Sequence, residues 1–218
     1  MAETVAERIA HVLGERIVSG ELTPGTALRQ DHVAAEFEAS HVPAREAFQL
    51  LRARGLVVNE PRRGVRVAAL DPAAIQELVE IRAALETLAL SIAAPQMNAA
   101  SFQRIEAALA AGDQAGSIVE WERANRDFHR ALAAPCRMPR LLAMLDDLQL
   151  ANSRVILAAT RSTGWRPGSG HAHRQIVAAL KKRDFDRAVA LLRAHIRGLE
   201  RAGSDTPSET AATTPAPR

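Results

Sequence analysis

Tyrosine is missing from this chain, and with only five phenylalanines and two tryptophans the aromatic share is 3%. So few rings argue against a nucleic-acid site built on exposed stacking platforms. A single cysteine, Cys136, excludes an intrachain disulfide framework and a thiolate metal cluster, and it suits a reducing compartment. No apolar run approaches the roughly twenty residues that cross a bilayer, and the N-terminus carries no apolar signal segment. A soluble cytoplasmic chain with no membrane partner is therefore expected. Charge of one sign is also scarce, since 28 Lys and Arg against 25 Asp and Glu leave +3. What is abundant is apolar residue, 47% of 218, much of it alanine, which points to a folded and mainly helical protein.

The chain divides near VAALDPAA. Before it, Ile9, Leu13 and Ile17 recur at helical spacing within Val5 to Val18, and SGELTPGTAL breaks the pattern. A second helix is expected over Gln30 to Glu38. The turn EASHVP follows, with Ser40 as N-cap and Pro43 in the first turn of a third helix reaching Arg54. GLVVNE and GVRVAAL, separated by PRR, read as a hairpin. Three helices and a basic two-stranded hairpin spell a winged helix-turn-helix over residues 1–69, its third helix suited to the major groove of double-stranded DNA.

Arg45 lies early on that helix, where guanine O6 and N7 come within reach. Arg62 and Arg63, beside Gly64 at the wing tip, are placed to hold phosphates, and Arg29 joins this DNA-facing set. Acidic residues match the arginines of this segment in number, so placement counts more than the sum: Arg45, Arg52, Arg54, Arg62, Arg63 and Arg66 gather late, as a candidate positive face. The competing reading is a small helical unit whose hairpin contacts the rest of the chain.

From Asp71 the pattern is helical throughout. AAIQELVEIRAALETLALSIAA places Ile75, Leu78, Ile81, Leu85 and Leu88 on one face and stops at Pro95. Five more amphipathic segments follow: a second ending at Gly112, a third from about Ser117 to Ala134, PRLLAMLDDLQLANSRVILAAT, HAHRQIVAALKKR and DFDRAVALLRAHIRGLERA. Six helices on short loops make an antiparallel bundle over residues 70–200. The remainder, 201–218, is rich in Pro, Thr, Ser and Ala and is expected to be a disordered tail.

Within WERANRDFHRALAA, Asn125 and His129 stand one turn apart on one face, and His173 and His195 follow apolar registers on two later helices. Three imidazoles and one amide oxygen suit a divalent metal, zinc first, with nickel, iron or manganese as alternatives. The other reading makes His129 or His195 a hydrogen-bonded core histidine. His171, two positions from His173, cannot share its face and is expected to cap or line the loop. Asparagine brings no negative charge, so a loaded site would be more positive and more attractive to an anion. Ser153 and Ser169 lack histidine and acid partners, and no glycine-rich phosphate loop occurs, so no catalytic residue is assigned.

PGTALRQDHVAAEFEASHVPAREAFQLLRARGLV followed by RRGVRV resembles the DNA-binding domain of GntR family transcription regulators. IRAALETLALSIAA, NRDFHRAL, HRQIVAALKKRDFDRAV and LLRAHI resemble the FCD ligand-binding domain of the FadR subfamily, with a helix count favouring its VanR-like branch. The resemblance implies a homodimeric regulator, a repressor by default, whose operator affinity answers to a small carboxylate bound at or near the metal. It assigns Ser40, His41 and Arg45 to the DNA-meeting turn and helix, and Arg63 and Gly64 to the wing. His41 stands where the family commonly has Arg, and Phe48 where an aliphatic residue is usual. It also assigns His129, His173 and His195 as metal ligands, with Asn125 where many relatives have Asp, and matches Arg82 and Glu86 to the first bundle helix. Arg82 is a candidate for an effector carboxylate, with a structural pair to Glu86 as the alternative. A metal-free structural bundle and, more remotely, a metalloenzyme acting on a small acid are the alternatives for the whole chain.

Overall fold

A computed structural model describes residues 3–163 and 170–198. Most of the loop RSTGWRPGSG, including Ser169, and the segment 201–218 lie outside the described residues. Three helices come first: α1 (Val5–Ser19), α2 (Gln30–Glu36) and α3 (His41–Ala53). Thr4 and Glu7 close α1 with a reciprocal capping box, and Gly20 ends it at φ 79°. Ser40 occupies the N-cap of α3 without a side-chain cap bond and is exposed. Strands β1 (Val57–Glu60) and β2 (Gly64–Val67) pair antiparallel, Val57 opposite Val67 and Glu60 opposite Gly64. Arg62 takes φ 63° in the turn between them. Ile9, Leu13, Ile17, Leu51, Leu56, Val57 and Val67 form the core of this unit.

Six helices follow among the described residues: α4 (Pro72–Ala93), α5 (Ala99–Gln114), α6 (Ile118–Ala133), α7 (Pro139–Thr163), α8 (His171–Lys181) and α9 (Phe185–Arg197). Single 3-10 turns at Ala94–Gln96 and Ala134–Cys136 end α4 and α6 at the two prolines. Val79, Leu90, Ile105, Phe128, Leu132, Ile176, Leu180, Leu192 and Ile196 make the main core, and Ala89, Ala93, Ala133, Cys136, Leu141 and Leu145 a second one. The expected mainly α architecture, winged helix-turn-helix then six-helix bundle, is present. No described helix is long and apolar enough to cross a membrane.

Two sequence expectations are corrected by the fold, one on α4 and one at Arg54. On α4 the buried side runs through Ile75, Val79, Arg82, Ala83, Glu86, Leu90 and Ala93, whereas Ile81 and Leu88 are exposed. Apolar residues cover both sides of this helix, and the bundle interior takes the side carrying an Arg–Glu pair.

The long helix α7 binds the two units together. Asp147 pairs with Arg54 at 3.0 Å, Leu150 packs on the N-terminal core, Arg154 donates to the Ala68 carbonyl, and Arg161 donates to the Ser19 carbonyl at 2.7 Å. Arg54 therefore faces α7, away from the positive face proposed for it.

Candidate functional site

The site is built on the inward faces of bundle helices, with Arg82 and Glu86 from α4 and Gln149 from α7 beside the histidines. His129 comes from α6, His173 from α8 and His195 from α9, and a nitrogen of each lies within 4.8 Å of the others. Nε2 of His173 is 3.0 Å from Nε2 of His195. Two nitrogens bound at about 2.1 Å to one ion stand roughly 3.0 Å apart at a right angle and roughly 3.4 Å at the tetrahedral angle, so this spacing fits shared coordination. Phe128 stacks on the His173 ring at 4.1 Å between centroids and fixes its plane. Asn125 is buried one turn before His129, on the same face of α6.

Glu86 orients His129. Its Oε2 lies 2.6 Å from His129 Nδ1, and a carboxylate can only accept there, so the ring proton sits on Nδ1 and the Nε2 lone pair is left for a metal. Oε1 accepts from Arg82 Nε at 2.9 Å and from Gln149 Nε2 at 2.7 Å. Burial alone would raise the Glu86 pKa, but Arg82 and His129 together bring it down to about 2. Burial, reinforced by neighbouring imidazoles, lowers His173 to about 2 and His195 to about 3, so both are neutral, the form in which imidazole binds metal.

Arg82 is wholly buried, and its Nη1 has no hydrogen-bond partner among the described residues. A buried guanidinium nitrogen without an acceptor is costly, and an anion beside it would remove that cost. Asn152 Nδ2 on α7 is buried and unpartnered in the same way. A cleft of about 190 Å³ between α6 and α7 reaches the Glu86 side of His129, past Leu142 and Leu145, with the Arg130–Asp146 pair (2.6 Å) among its walls.

The polar interior continues toward the first helix of the chain. Ser153 donates to Glu122 at 2.5 Å, Arg126 pairs with Glu122 at 3.1 Å, and Arg126 also reaches Glu15 of α1 at 3.4 Å. Burial raises the Glu122 pKa, with Arg126 and the Ser153 hydroxyl opposing it. Sequence reasoning anticipated the histidines, Asn125 and the Arg82–Glu86 pair. It missed Gln149 and Glu122, which carry no local motif, and its expectation that Ser153 has no acid partner is corrected by the bond to Glu122, 31 positions away.

At the other end, Arg29, Ser40, His41, Arg45, Arg62, Arg63 and Gly64 are all exposed. A cleft of about 360 Å³ between α3 and the wing is lined by Arg45, Gln49, Arg52, Asn59 and Gly64 among others. Arg29, Arg45, Arg52 and Arg62 make no ion pair among the described residues, whereas Arg63 and Arg66 both approach Glu60, at 3.1 and 3.6 Å. The His41 ring lies 3.4 Å from Asp31, and its carbonyl accepts from Gln30 at 2.7 Å. Gln49 and Arg52 belong to the outward face of α3 by their spacing from Arg45, a signal the sequence already held.

Residues 5–67 match the gntR family of bacterial regulatory proteins, and residues 77–198 match the FCD domain. The "Probable D-xylose utilization operon transcriptional repressor" of Paenarthrobacter nicotinovorans is 30% identical over 199 residues, covering 88% of this chain and 86% of that one. The HTH-type transcriptional repressor GlaR of Escherichia coli strain K12 is 27% identical, over 83% of this chain and 87% of its own. Among solved structures, E. coli McbR/YncC shares the fold with a TM-score of 0.78 at 20% identity, covering 94% of this chain and all of that one. The first two of these relatives are transcriptional repressors and not enzymes, and the chain belongs to the GntR family, with an FCD-type domain following its winged helix-turn-helix.

Proposed function

We propose that this chain is a homodimeric repressor of the VanR-like FadR branch, acting in the cytoplasm on a short pseudo-palindromic operator. Residues 1–69 read double-stranded DNA, and residues 70–200 bind the effector. Arg45 contacts base edges, with Ser40 and His41 at the start of the same helix. Arg29, Arg62, Arg63 and Gly64 hold the backbone. His129, His173 and His195, with Asn125 as the fourth ligand, hold a divalent metal, zinc before nickel, iron or manganese. Bound there, the metal supplies a Lewis-acidic position for one oxygen of a small organic acid. Arg82 receives the acid's carboxylate on Nη1.

The observation that carries this reading is the convergence of three imidazoles, those of His129, His173 and His195, beside a buried arginine nitrogen that lacks an acceptor among the described residues. Coupling to DNA follows from α7, which meets Glu86 at the site through Gln149 and grips the winged helix with Asp147, Leu150 and Arg161. An acid that favours one seating of α7 changes operator affinity by its differential binding to the two arrangements.

The test is fluorescence anisotropy on an operator obtained by in vitro selection, with small hydroxy, sugar and dicarboxylic acids titrated against zinc-loaded protein. At least one acid is expected to weaken binding about tenfold or more, an effect of ordinary allosteric size, and to lose it when the protein is stripped of metal. If no acid moves the affinity of loaded protein, the bundle is structural and the effector reading is wrong.

A further inference from the structure

A second cleft, of about 160 Å³, opens where the winged unit, the connecting segment and the bundle meet. Its walls are aliphatic: Leu56 of the winged core, Leu70 of the connection, Ile75 and Leu78 of α4, and Val155 of α7. Two guanidinium groups border it, and their circumstances differ. Arg54 is already paired with Asp147 at 3.0 Å. Arg154 is only 5% exposed, yet it meets no carboxylate among the described residues. Nη2 donates to the Ala68 carbonyl, and the remaining N–H groups of Arg154 find no acceptor among the described residues. Burial, with the charge of Arg161 adding to it, lowers the Arg154 pKa to about 10, a shift that an adjacent carboxylate would oppose. The group stays charged at neutral pH, and a buried cation without a counter-ion is costly.

We propose that this cleft binds a small aliphatic monocarboxylate, its oxygens accepting from the unused donors of Arg154 and its carbon body lying on the leucine, isoleucine and valine walls. Three features set that class. The uncommitted charge is positive, so the ligand is an anion. Exposed Asp71 also borders the cleft, its carboxylate held on the Ala73 N–H at 3.1 Å, and it opposes a second negative charge on the ligand. The cleft has no aromatic ring among its described lining residues and the volume of about five waters at roughly 30 Å³ each, which suits a short aliphatic body.

The cleft shares no residue with the histidine cluster or with the cleft beside it, so the proposal needs neither the metal nor the effector reading. Its place has a structural consequence. An acid seated there touches the winged core at Leu56, the connection at Leu70 and the bundle at Ile75 and Val155, and it stabilises their packed arrangement over any other by its own binding free energy.

Isothermal titration calorimetry of 4-methylpentanoate into full-length protein stripped of metal tests the proposal. One acid per chain is expected, with a dissociation constant of about 1 mM or below, in keeping with its few atoms. Arg154→Leu is expected to weaken binding about tenfold or more, the size of a lost hydrogen bond to a charged group. Because a buried arginine also serves the fold, Ala74→Trp gives a second reading. Ala74 is exposed and borders the cleft, so an indole there occupies the space with Arg154 intact. It too is expected to weaken binding about tenfold or more, with the helical circular dichroism unchanged. A wild type that takes up no acid at about ten times the expected dissociation constant overturns the proposal. Binding that a folded Ala74→Trp retains at full strength also overturns it, by placing the acid elsewhere. Either result leaves the metal-dependent effector reading standing, since no metal is present in the assay.

Discussion

Replacing Glu86 by Gln keeps the shape of the side chain and removes the charge on which three groups depend. In the wild type one carboxylate oxygen takes Arg82 and Gln149, and the other takes the His129 Nδ1 proton. Arg82 is fully buried, and without the carboxylate it becomes a buried cation lacking its ion partner. Breaking such a pair from one side costs about 3 kcal/mol or somewhat more. The lowering of the Glu86 pKa from 4.5 to about 2 corresponds to a similar amount, about 3 kcal/mol above pH 4.5.

There is a second consequence at His129. The new amide retains one oxygen for Arg82 and turns its NH2 toward Nδ1, where two donors cannot meet. The ring then moves its proton to Nε2, toward His173 and His195, and the lone pair that would bind metal is lost. Zinc affinity is expected to fall about 10- to 100-fold, the usual effect of removing an orienting carboxylate. Urea unfolding of metal-free protein reads the first effect, and competition with a chromophoric chelator reads the second. Stability within about 0.5 kcal/mol of wild type, the range of an ordinary surface change, together with unaltered zinc affinity, refutes the orienting role of Glu86.

Arg45→Ala is expected to cost about 1–3 kcal/mol of operator affinity and to relax preference at one base pair, while Arg62→Ala weakens all sequences alike and lowers the salt slope by about one. Retained sequence-specific affinity in Arg45→Ala would contradict its place on the reading helix. Gly20→Ala places a Cβ 2.4 Å from the Arg161 guanidinium at a backbone φ of 79°, so it loses the bond to Ser19 and adds left-handed strain, about 1–2 kcal/mol in urea unfolding. Acid acts in two stages on metal-free protein. The folded pKa values of His173 and His195 lie below 6.5, so their contribution is complete above pH 6.5 and is lost as pH falls toward about 3 and 2. Glu86 adds a further loss from pH 4.5 down to about 2. Unfolding free energy that stays flat from pH 7 to pH 4 contradicts buried neutral imidazoles.

The winged unit was legible because its boundaries are written locally. The SGELTPGTAL break with its Gly20, the Ser40 N-cap and the PRR turn each punctuate the backbone within a few residues of where they act. The histidine set was legible through its helical registers, which bring α6, α8 and α9 together once the bundle closes. Other features were hidden by distance or by ambiguity. Gln149 meets Glu86 across 63 positions, and no spacing rule connects them. On α4 the leucine row suggested a core face, yet burial of the Arg82–Glu86 pair turned that row outward, because the interior at this level is polar. Arg54 counted toward a basic DNA face by its place in the sequence, but Asp147 of α7 claims it.

The central claim is that the three imidazoles hold a metal, and metal content per protomer, measured by mass spectrometry on untagged protein, tests it most directly. About one zinc, nickel, iron or manganese per chain is expected in wild type and little in His129→Ala, because a site losing one of its few ligands no longer retains the ion. A wild type that stays empty after incubation with zinc, nickel and manganese contradicts the claim and makes the cluster a hydrogen-bonded histidine core.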